Sequence, residues 1–237
     1  MKVSIIIPVY NEEATIENVI SMVNSVNLYA EKEIIVVDDC STDGTRKKLS
    51  KMKGKNKNLR LCFHEKNMGK GNALKTGLMH ATGDIVIFQD ADLEYDPKDY
   101  GKLIKPIIEG KASAVYGSRF LGKPKDFIKK YKGFLPLNYI GNKILTILTN
   151  ILYGSKLTDM DTCYTVFRRD VIKKLNLRSS SFEITPEITA KILKNGVKIH
   201  EVPINYNPRS HSSGKKLTIW KDGFKALYSL VKYRFLD

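Results

Sequence analysis

The sequence predicts an α/β protein with a mostly parallel sheet. Two observations point there: short apolar, strand-like runs alternate with helical patterns through the first half of the chain, and polar clusters recur where those runs end. The strands are Val3 to Pro8, Glu33 to Val37, Leu59 to Phe63, Ile85 to Phe88 and Ala114 to Tyr116. The helical patterns between them are Glu12 to Val26, Thr42 to Lys53, Gly69 to Ala81 and Asp99 to Glu109. In open parallel sheets ligands collect outside the carboxyl ends of the strands. Tyr10-Asn11-Glu12 follows the first strand, Asp38-Asp39 the second and Asp90-Ala91-Asp92 the fourth, so three polar clusters converge at that edge.

At 237 residues the chain suits one domain with a substantial core. Its composition, 42% hydrophobic and 27% charged, excludes a disordered or membrane-embedded class. Forty Lys and Arg against 25 Asp and Glu give a net charge of +15, which favours anionic partners: nucleic acid, a lipid headgroup surface or phosphorylated small molecules. Cys40, Cys62 and Cys163 are widely spaced, which fits neither a zinc site nor a disulfide framework and matches a reduced, cytoplasmic setting. The N-terminus carries no signal-peptide pattern, and the apolar stretch Ile144 to Tyr153 falls short of the roughly 20 residues needed to span a bilayer. A cytoplasmic protein, peripheral on the cytoplasmic face of a membrane, is expected.

Two carboxylates two residues apart repel each other unless a cation lies between them, and Mg²⁺ or Mn²⁺ takes one or two carboxylates plus phosphate oxygens. Asp90 and Asp92 therefore point to nucleotide chemistry, although the D-x-D pattern also arises by chance in loops. Asn11, Glu12 and Glu13 have the alternative of capping the first helix and complementing its dipole. The segment from Asp38 to Thr45 likewise contains cap residues, but offers three carboxylates where a cap needs one. Asp39 is a candidate acceptor for hydrogen bonds from a nucleobase or ribose. Gly69-Lys70-Gly71-Asn72-Ala73 opens a helix with glycines and a lysine, either a phosphate approach or an ordinary turn.

Taken in order, Pro8-Val9-Tyr10-Asn11-Glu12, Asp38-Asp39 with Ser41 and Asp43, Asn67 to Ala73, and Asp90-Ala91-Asp92 resemble the family 2 glycosyltransferases, which have the GT-A fold: a Rossmann-like, mostly parallel sheet flanked by helices. Gly117-Ser118-Arg119-Phe120, Asp159 to Tyr164 and Phe167-Arg168-Arg169 are similar to the branch of dolichyl-phosphate mannose synthases and polyprenyl-phosphate glucosyltransferases. The resemblance spans roughly residues 3 to 235. It implies one catalytic domain over 1–237, with a nucleotide-sugar-binding half at 1–120 and an acceptor-binding half at 121–237 whose helices face a membrane.

Residue by residue, the resemblance places Pro8, Tyr10, Glu12 and Asp39 on the nucleoside, Asp90 and Asp92 on the diphosphate and on Mg²⁺ or Mn²⁺, and Glu94 at a further metal-side position; Ser41, Lys70 and Ala91 are further substrate-binding candidates. It implies an inverting transfer of a hexose from a GDP- or UDP-linked sugar to a polyprenyl phosphate, dolichyl or undecaprenyl, with Asp92 catalytic. A phosphate monoester is already anionic at neutral pH, so positioning outweighs a strong base. Arg119 and Arg209 match basic positions that receive the acceptor phosphate, for which an arginine offers a bidentate fork. Asp159 and Asp161 are the remaining catalytic candidates; the doubled Asp-Met-Asp leaves open which one orients the acceptor or acts as base. Glu183 and Glu187 are lesser candidates, since acids at a helix start near Pro186 have an ordinary explanation.

A polyprenyl acceptor also requires an anionic membrane surface. Lys123, Lys125, Lys129, Lys130 and Lys132, interleaved with Phe127, Tyr131 and Phe134, precede an apolar pattern at Ile140, Ile144, Ile147, Leu148 and Ile151. This reads either as an interfacial segment or as a loop before a core-facing helix. The later stripe Trp220, Phe224, Leu227 and Val231 reads first as core packing, with membrane contact as a second use that the net charge supports. Two alternatives remain: a family 2 enzyme acting on a saccharide or protein hydroxyl, which needs a true base, and a basic nucleic-acid-binding module. No nucleic-acid motif supports the latter, and no nucleic-acid partner is expected.

Overall fold

The structure, a computed structural model, describes residues 1–54, 56–121, 137–208 and 219–236. Five strands fall where the apolar runs place them: β1 (Lys2–Val9), β2 (Glu31–Asp38), β3 (Leu59–Phe63), β4 (Ile85–Phe88) and β5 (Ala114–Ser118). Two more, β6 (Thr165–Arg168) and β7 (Ile199–Pro203), complete a seven-stranded sheet in the order β3-β2-β1-β4-β6-β5-β7. All neighbours are parallel except β6, which runs antiparallel to both β4 and β5.

The central strands are buried on both faces, which is why they read as continuous apolar runs. Alternate residues feed two separate cores. Ile5, Ile7, Ile34, Val36 and Ile87 pack with Ile16, Ile20, Leu103 and Ile104 on one face. Ile6, Ile35, Val37, Val86 and Phe88 pack with Leu74, Leu78, Ile184 and Ile188 on the other. The first face is covered by α1 (Ile16–Ser25) and α4 (Tyr100–Ile108), the second by α3 (Lys70–His80) and α7 (Ile184–Lys194). A Cβ at Gly77 of α3 would collide with the Ile6 side chain, so glycine there lets the helix lie close on β1.

The first two helices start later than their patterns predict. Asn11 adopts φ 49°, and the amides of Asn11 and Glu13 bond to Ser41 Oγ and Asp43 Oδ2 in the loop after β2, that of Glu12 to Thr45 Oγ1 just beyond it. These amides are thus drawn away from α1, which begins at Ile16, while α2 (Thr45–Met52) begins after the same loop. Glu13 returns the contact by accepting from the Gly44 amide at 3.0 Å. These acids therefore tie two loops together, and Thr15, at the N-cap of α1, makes no side-chain cap.

The remaining helices are α5 (Leu137–Tyr153), α6 (Arg169–Lys173) and α8 (Ile219–Phe235). Leu157, Met160, Ala190, Leu230 and Tyr233 form a third core where α5, α7 and α8 meet, joined by Leu145, Leu148 and Leu152. The isoleucines of α5 do not join it: Ile140, Ile144, Ile147 and Ile151 are exposed, Ile151 at 74%. Of the C-terminal stripe, the described side chains lie outside the core. Phe224, Leu227 and Val231 are exposed, while Ala226, Leu230 and Tyr233 of α8 are buried. The Trp220 side chain, the basic and aromatic run at 123–134 and Arg209 lie outside the described residues.

Candidate active site

The carboxyl ends of the strands hold the site. Asp39, directly after β2, is 3% exposed, and its carboxylate is held by three donors: His64 Nδ1 at 2.7 Å, the Met68 amide at 2.8 Å and the Gly69 amide at 2.7 Å. Its neighbour Asp38 pairs with Arg46 at 2.7 Å and accepts from the Ser41 amide. Pro8 sits in β1 opposite Val37, with Tyr10 and Glu12 in the loop that follows. Glu12 accepts from Thr15 Oγ1 at 3.0 Å. Pro8, Tyr10, Glu12, Asp39 and Ser41 thus gather at the adjoining ends of β1 and β2.

The Gly69–Lys70 turn links this group to the acidic triplet. Gly69 takes φ 91°, and a Cβ there would strike the Ser180 carbonyl. Asp39 fixes the Gly69 amide, and the next residue, Lys70, places its ammonium 2.6 Å from Asp90 Oδ1 and 3.4 Å from Cys163 Sγ. Burial alone would lower the Lys70 pKa, but Asp90, Cys163 and Asp92 outweigh it and hold the ammonium above its ordinary value.

Gln89 holds Asp90 from behind. It is fully buried, donates to the Asp90 carbonyl at 2.9 Å, and accepts the hydroxyls of Tyr100 and Tyr164 at 2.7 Å each. Ala91 is buried, Asp92 Oδ1 accepts from the Glu94 amide at 3.1 Å, and Leu93 between them takes φ 62°. Glu94 accepts the Tyr206 hydroxyl at 2.8 Å. The same Tyr206 ring lies 5.2 Å from the Arg119 guanidinium.

Arg119, just past β5, turns its fork onto Asp159. Nε and Nη2 each donate at 2.7 Å, the Arg119 amide donates to the same carboxylate at 3.0 Å, and Asn142 Nδ2 adds a fourth bond at 3.0 Å. Two oxygens accept about four hydrogen bonds, so Asp159 is saturated. The fork that sequence reasoning offered to a phosphate is engaged inside the protein, and Nη1 is the guanidinium nitrogen with no hydrogen bond among the described residues. Asp161 differs: burial, with the Asp159 and Asp90 anions, outweighs the lowering effect of the Arg119 and Lys70 cations and pushes its carboxyl up to about 6. Lys70, Asp90, Asp161 and Arg119 thus share one electrostatic neighbourhood.

A model of glycosyl transferase family 2 matches residues 4–176. The chain belongs to this family. A Methanococcus voltae relative, UDP-N-acetylglucosamine–dolichyl-phosphate N-acetylglucosaminyltransferase, is 35% identical over 96% of this chain and 94% of its own length. The dolichol-phosphate mannosyltransferase of Pyrococcus furiosus is 31% identical over 98% of this chain, which spans 64% of that protein. Among solved structures, glucosyl-3-phosphoglycerate synthase from Mycobacterium tuberculosis superimposes with a TM-score of 0.75 at 21% identity, covering 100% of this chain and 81% of that one. The same enzyme in complex with Mn²⁺, UDP and glucosyl-3-phosphoglycerate also gives 0.75, at 20% identity. The glycosyltransferase therefore has the GT-A fold that the order of its motifs implies.

In this family 2 glycosyltransferase Asp90 and Asp92 are the carboxylates that would hold a divalent cation. Among the described residues no three of His, Cys, Asp and Glu form a ready cage. Asp90 and Asp92 nevertheless fit the one or two carboxylates that Mg²⁺ or Mn²⁺ takes when phosphate oxygens supply further ligands.

Several site residues escaped the sequence reading. His64 bridges Asp39 and Thr76, Gln89 supports Asp90, Tyr206 joins Glu94 to Arg119, and Tyr95 accepts the Cys163 amide at 3.2 Å. Each is a single residue without a local pattern. Glu187 has a different task from lining the cleft: it accepts the amides of Arg178 and Ser179 and pairs with Lys191, fixing the loop before α7. Glu183 accepts the Ser181 amide at 3.3 Å, and its other oxygen is buried with no hydrogen bond among the described residues.

Proposed function

We propose that the glycosyltransferase moves a hexose from a nucleoside-diphosphate sugar to a polyprenyl phosphate, with inversion at the anomeric carbon. The observation that carries this reading is the placing of Arg119. A cation held rigidly by the saturated Asp159 shares Tyr206 with Glu94, and so stands beside the acidic triplet where a donor diphosphate is expected.

In this reading Pro8, Tyr10, Glu12, Asp39 and Ser41 hold the nucleoside, and Lys70 receives the diphosphate at the N-terminus of α3. Asp90 and Asp92, with Glu94, would hold Mg²⁺ or Mn²⁺, which when bound would supply charge neutralisation to the departing diphosphate. Arg119 Nη1, with Arg209, receives the acceptor phosphate and orients one of its oxygens toward the anomeric carbon. That oxygen forms the new bond as the bond to the nucleoside diphosphate breaks. It is already anionic, so no side chain need remove a proton.

Access to a lipid acceptor is supported by the surface of α5 and α8. Ile140, Ile144, Ile147 and Ile151 expose one apolar stripe, and Phe224, Leu227 and Val231 expose another. Exposed apolar residues on a chain of net charge +15 suit peripheral binding to an anionic leaflet. No helix among the described residues is long and apolar enough to cross a membrane.

The test is an organic-extraction assay with polyprenyl phosphate, Mn²⁺ and labelled donors. UDP-N-acetylglucosamine comes first because the Methanococcus voltae relative is named for it, followed by UDP-glucose and GDP-mannose. A labelled sugar lipid is expected; its absence with every donor would overturn the proposal. Asp161 favours a second reading, transfer to a saccharide or protein hydroxyl, because a carboxyl pushed up to about 6 suits a general base. In that case Asp161→Asn abolishes turnover while nucleotide binding survives; with a phosphate acceptor, turnover persists.

A further inference from the structure

Lys70 holds a position that a divalent cation must also approach. Its backbone is fixed independently of Asp90: Asp39 accepts the Gly69 amide, the Ser180 carbonyl lies where any side chain at 69 would have to begin, and Asn72 donates its amide to that same carbonyl at 3.2 Å. From this anchored turn the ammonium contacts Asp90 at 2.6 Å, and each side chain is only 17% exposed. Lys70 is also the first residue of α3, where the helix dipole disfavours a cation and favours an anion. The ammonium is thus satisfied by Asp90 at a helix terminus suited to phosphate.

This arrangement has a consequence for the order of binding. A divalent ion arriving alone meets an Asp90 whose charge Lys70 already offsets, and it is repelled by that ammonium. A diphosphate arriving with the ion offers Lys70 a new anionic partner and releases Asp90. We infer that Lys70 is an internal placeholder cation, which keeps the metal site weak until a nucleoside diphosphate enters and so couples the binding of the two. This rests on the proposed metal role of Asp90. Lys70 is in this respect a positioning residue, acting on the metal through Asp90.

The test reads metal binding, not turnover. Mn²⁺ is titrated into the full chain by electron paramagnetic resonance, without nucleotide and then with UDP or GDP, correcting for Mn²⁺ held by nucleotide in solution. Wild type is expected to bind Mn²⁺ weakly alone and about tenfold or more tightly with the matching nucleotide, within the usual range of coupling between sites. Lys70→Met is expected to bind Mn²⁺ alone about tenfold more tightly than wild type, with a correspondingly smaller gain from nucleotide. Lys70→Gln should repeat this result should the methionine variant fold poorly, while Lys70→Arg, which keeps the charge, should behave as wild type. If nucleotide promotes Mn²⁺ binding in wild type but the neutral variants bind Mn²⁺ alone no more tightly, the placeholder role is overturned and the metal reading stands. If no protein holds Mn²⁺ even with nucleotide, both fall.

Discussion

Arg119 and Asp159 form a bidentate pair, Nε to Oδ2 and Nη2 to Oδ1 at 2.7 Å each, around a carboxylate that is fully buried. The Arg119 amide and Asn142 fill the remaining acceptor positions. Asp159 is therefore the arginine's holder and has no vacant lone pair with which to accept a proton from an acceptor.

Removing that holder should cost stability. Asp159→Ala leaves a guanidinium, 14% exposed, without its counter-ion, and breaking a buried pair on one side costs about 3–5 kcal/mol. Urea denaturation should show this loss, whereas Asp161→Asn, which removes a carboxyl held above its unfolded pKa, should not lower stability near pH 5. Equal losses in the two variants would contradict the separate roles.

Asp161 should leave a signature in the pH dependence of stability. Burial, reinforced by Asp159 and Asp90 against Arg119 and Lys70, raises its folded-state pKa from 3.8 to about 6. The unfolded chain then releases this proton first, so the Asp161 contribution to stability falls as pH rises from 3.8 to about 6 and stays constant above. Denaturation of the protein without metal or nucleotide across that window, in wild type and Asp161→Asn, isolates the effect. The slopes should differ; identical slopes would refute it.

Glu33 should behave in the opposite sense. Burial raises its pKa, but hydrogen bonds from Ser4, Lys2 and Thr82 outweigh burial and bring it down from 4.5 to about 2. Its contribution is therefore present above pH 4.5 and lost as pH falls toward 2. Because the side chain is partly solvated, Glu33→Gln should cost about 1–2 kcal/mol at pH 7, shrinking in acid.

Tyr206 is the link between Glu94 and Arg119. Tyr206→Phe keeps the ring beside the guanidinium and removes the hydrogen bond to Glu94, so transfer should fall roughly tenfold, the equivalent of a lost bond of about 1.4 kcal/mol. A fall in melting temperature with unchanged transfer would assign the residue to packing alone.

The parts of this protein that could be read from sequence are those with a repeating or clustered signal. β1, β2 and β4 were legible because both faces are buried, which leaves uninterrupted apolar runs. β6 was not, because Thr165–Arg168 is four residues long and ends in an exposed arginine; β7, at the sheet edge, reads Ile-His-Glu-Val-Pro with no alternation. The carboxylates stood out by clustering at strand ends, whereas Tyr206 meets Glu94 across 112 residues. On α8 the helical period fits two faces equally: Phe224, Leu227 and Val231 share the spacing of Ala226, Leu230 and Tyr233, and only packing against α5 and α7 decides between them.

The most direct test is Asp92→Ala in the organic-extraction assay, with the fold monitored by circular dichroism. An unchanged spectrum is expected, with a loss of metal-dependent sugar-lipid formation of about 10²-fold or more, because charge stabilisation of the leaving group is removed. A folded Asp92→Ala protein that forms the sugar lipid at the wild-type rate would contradict the metal role of Asp92.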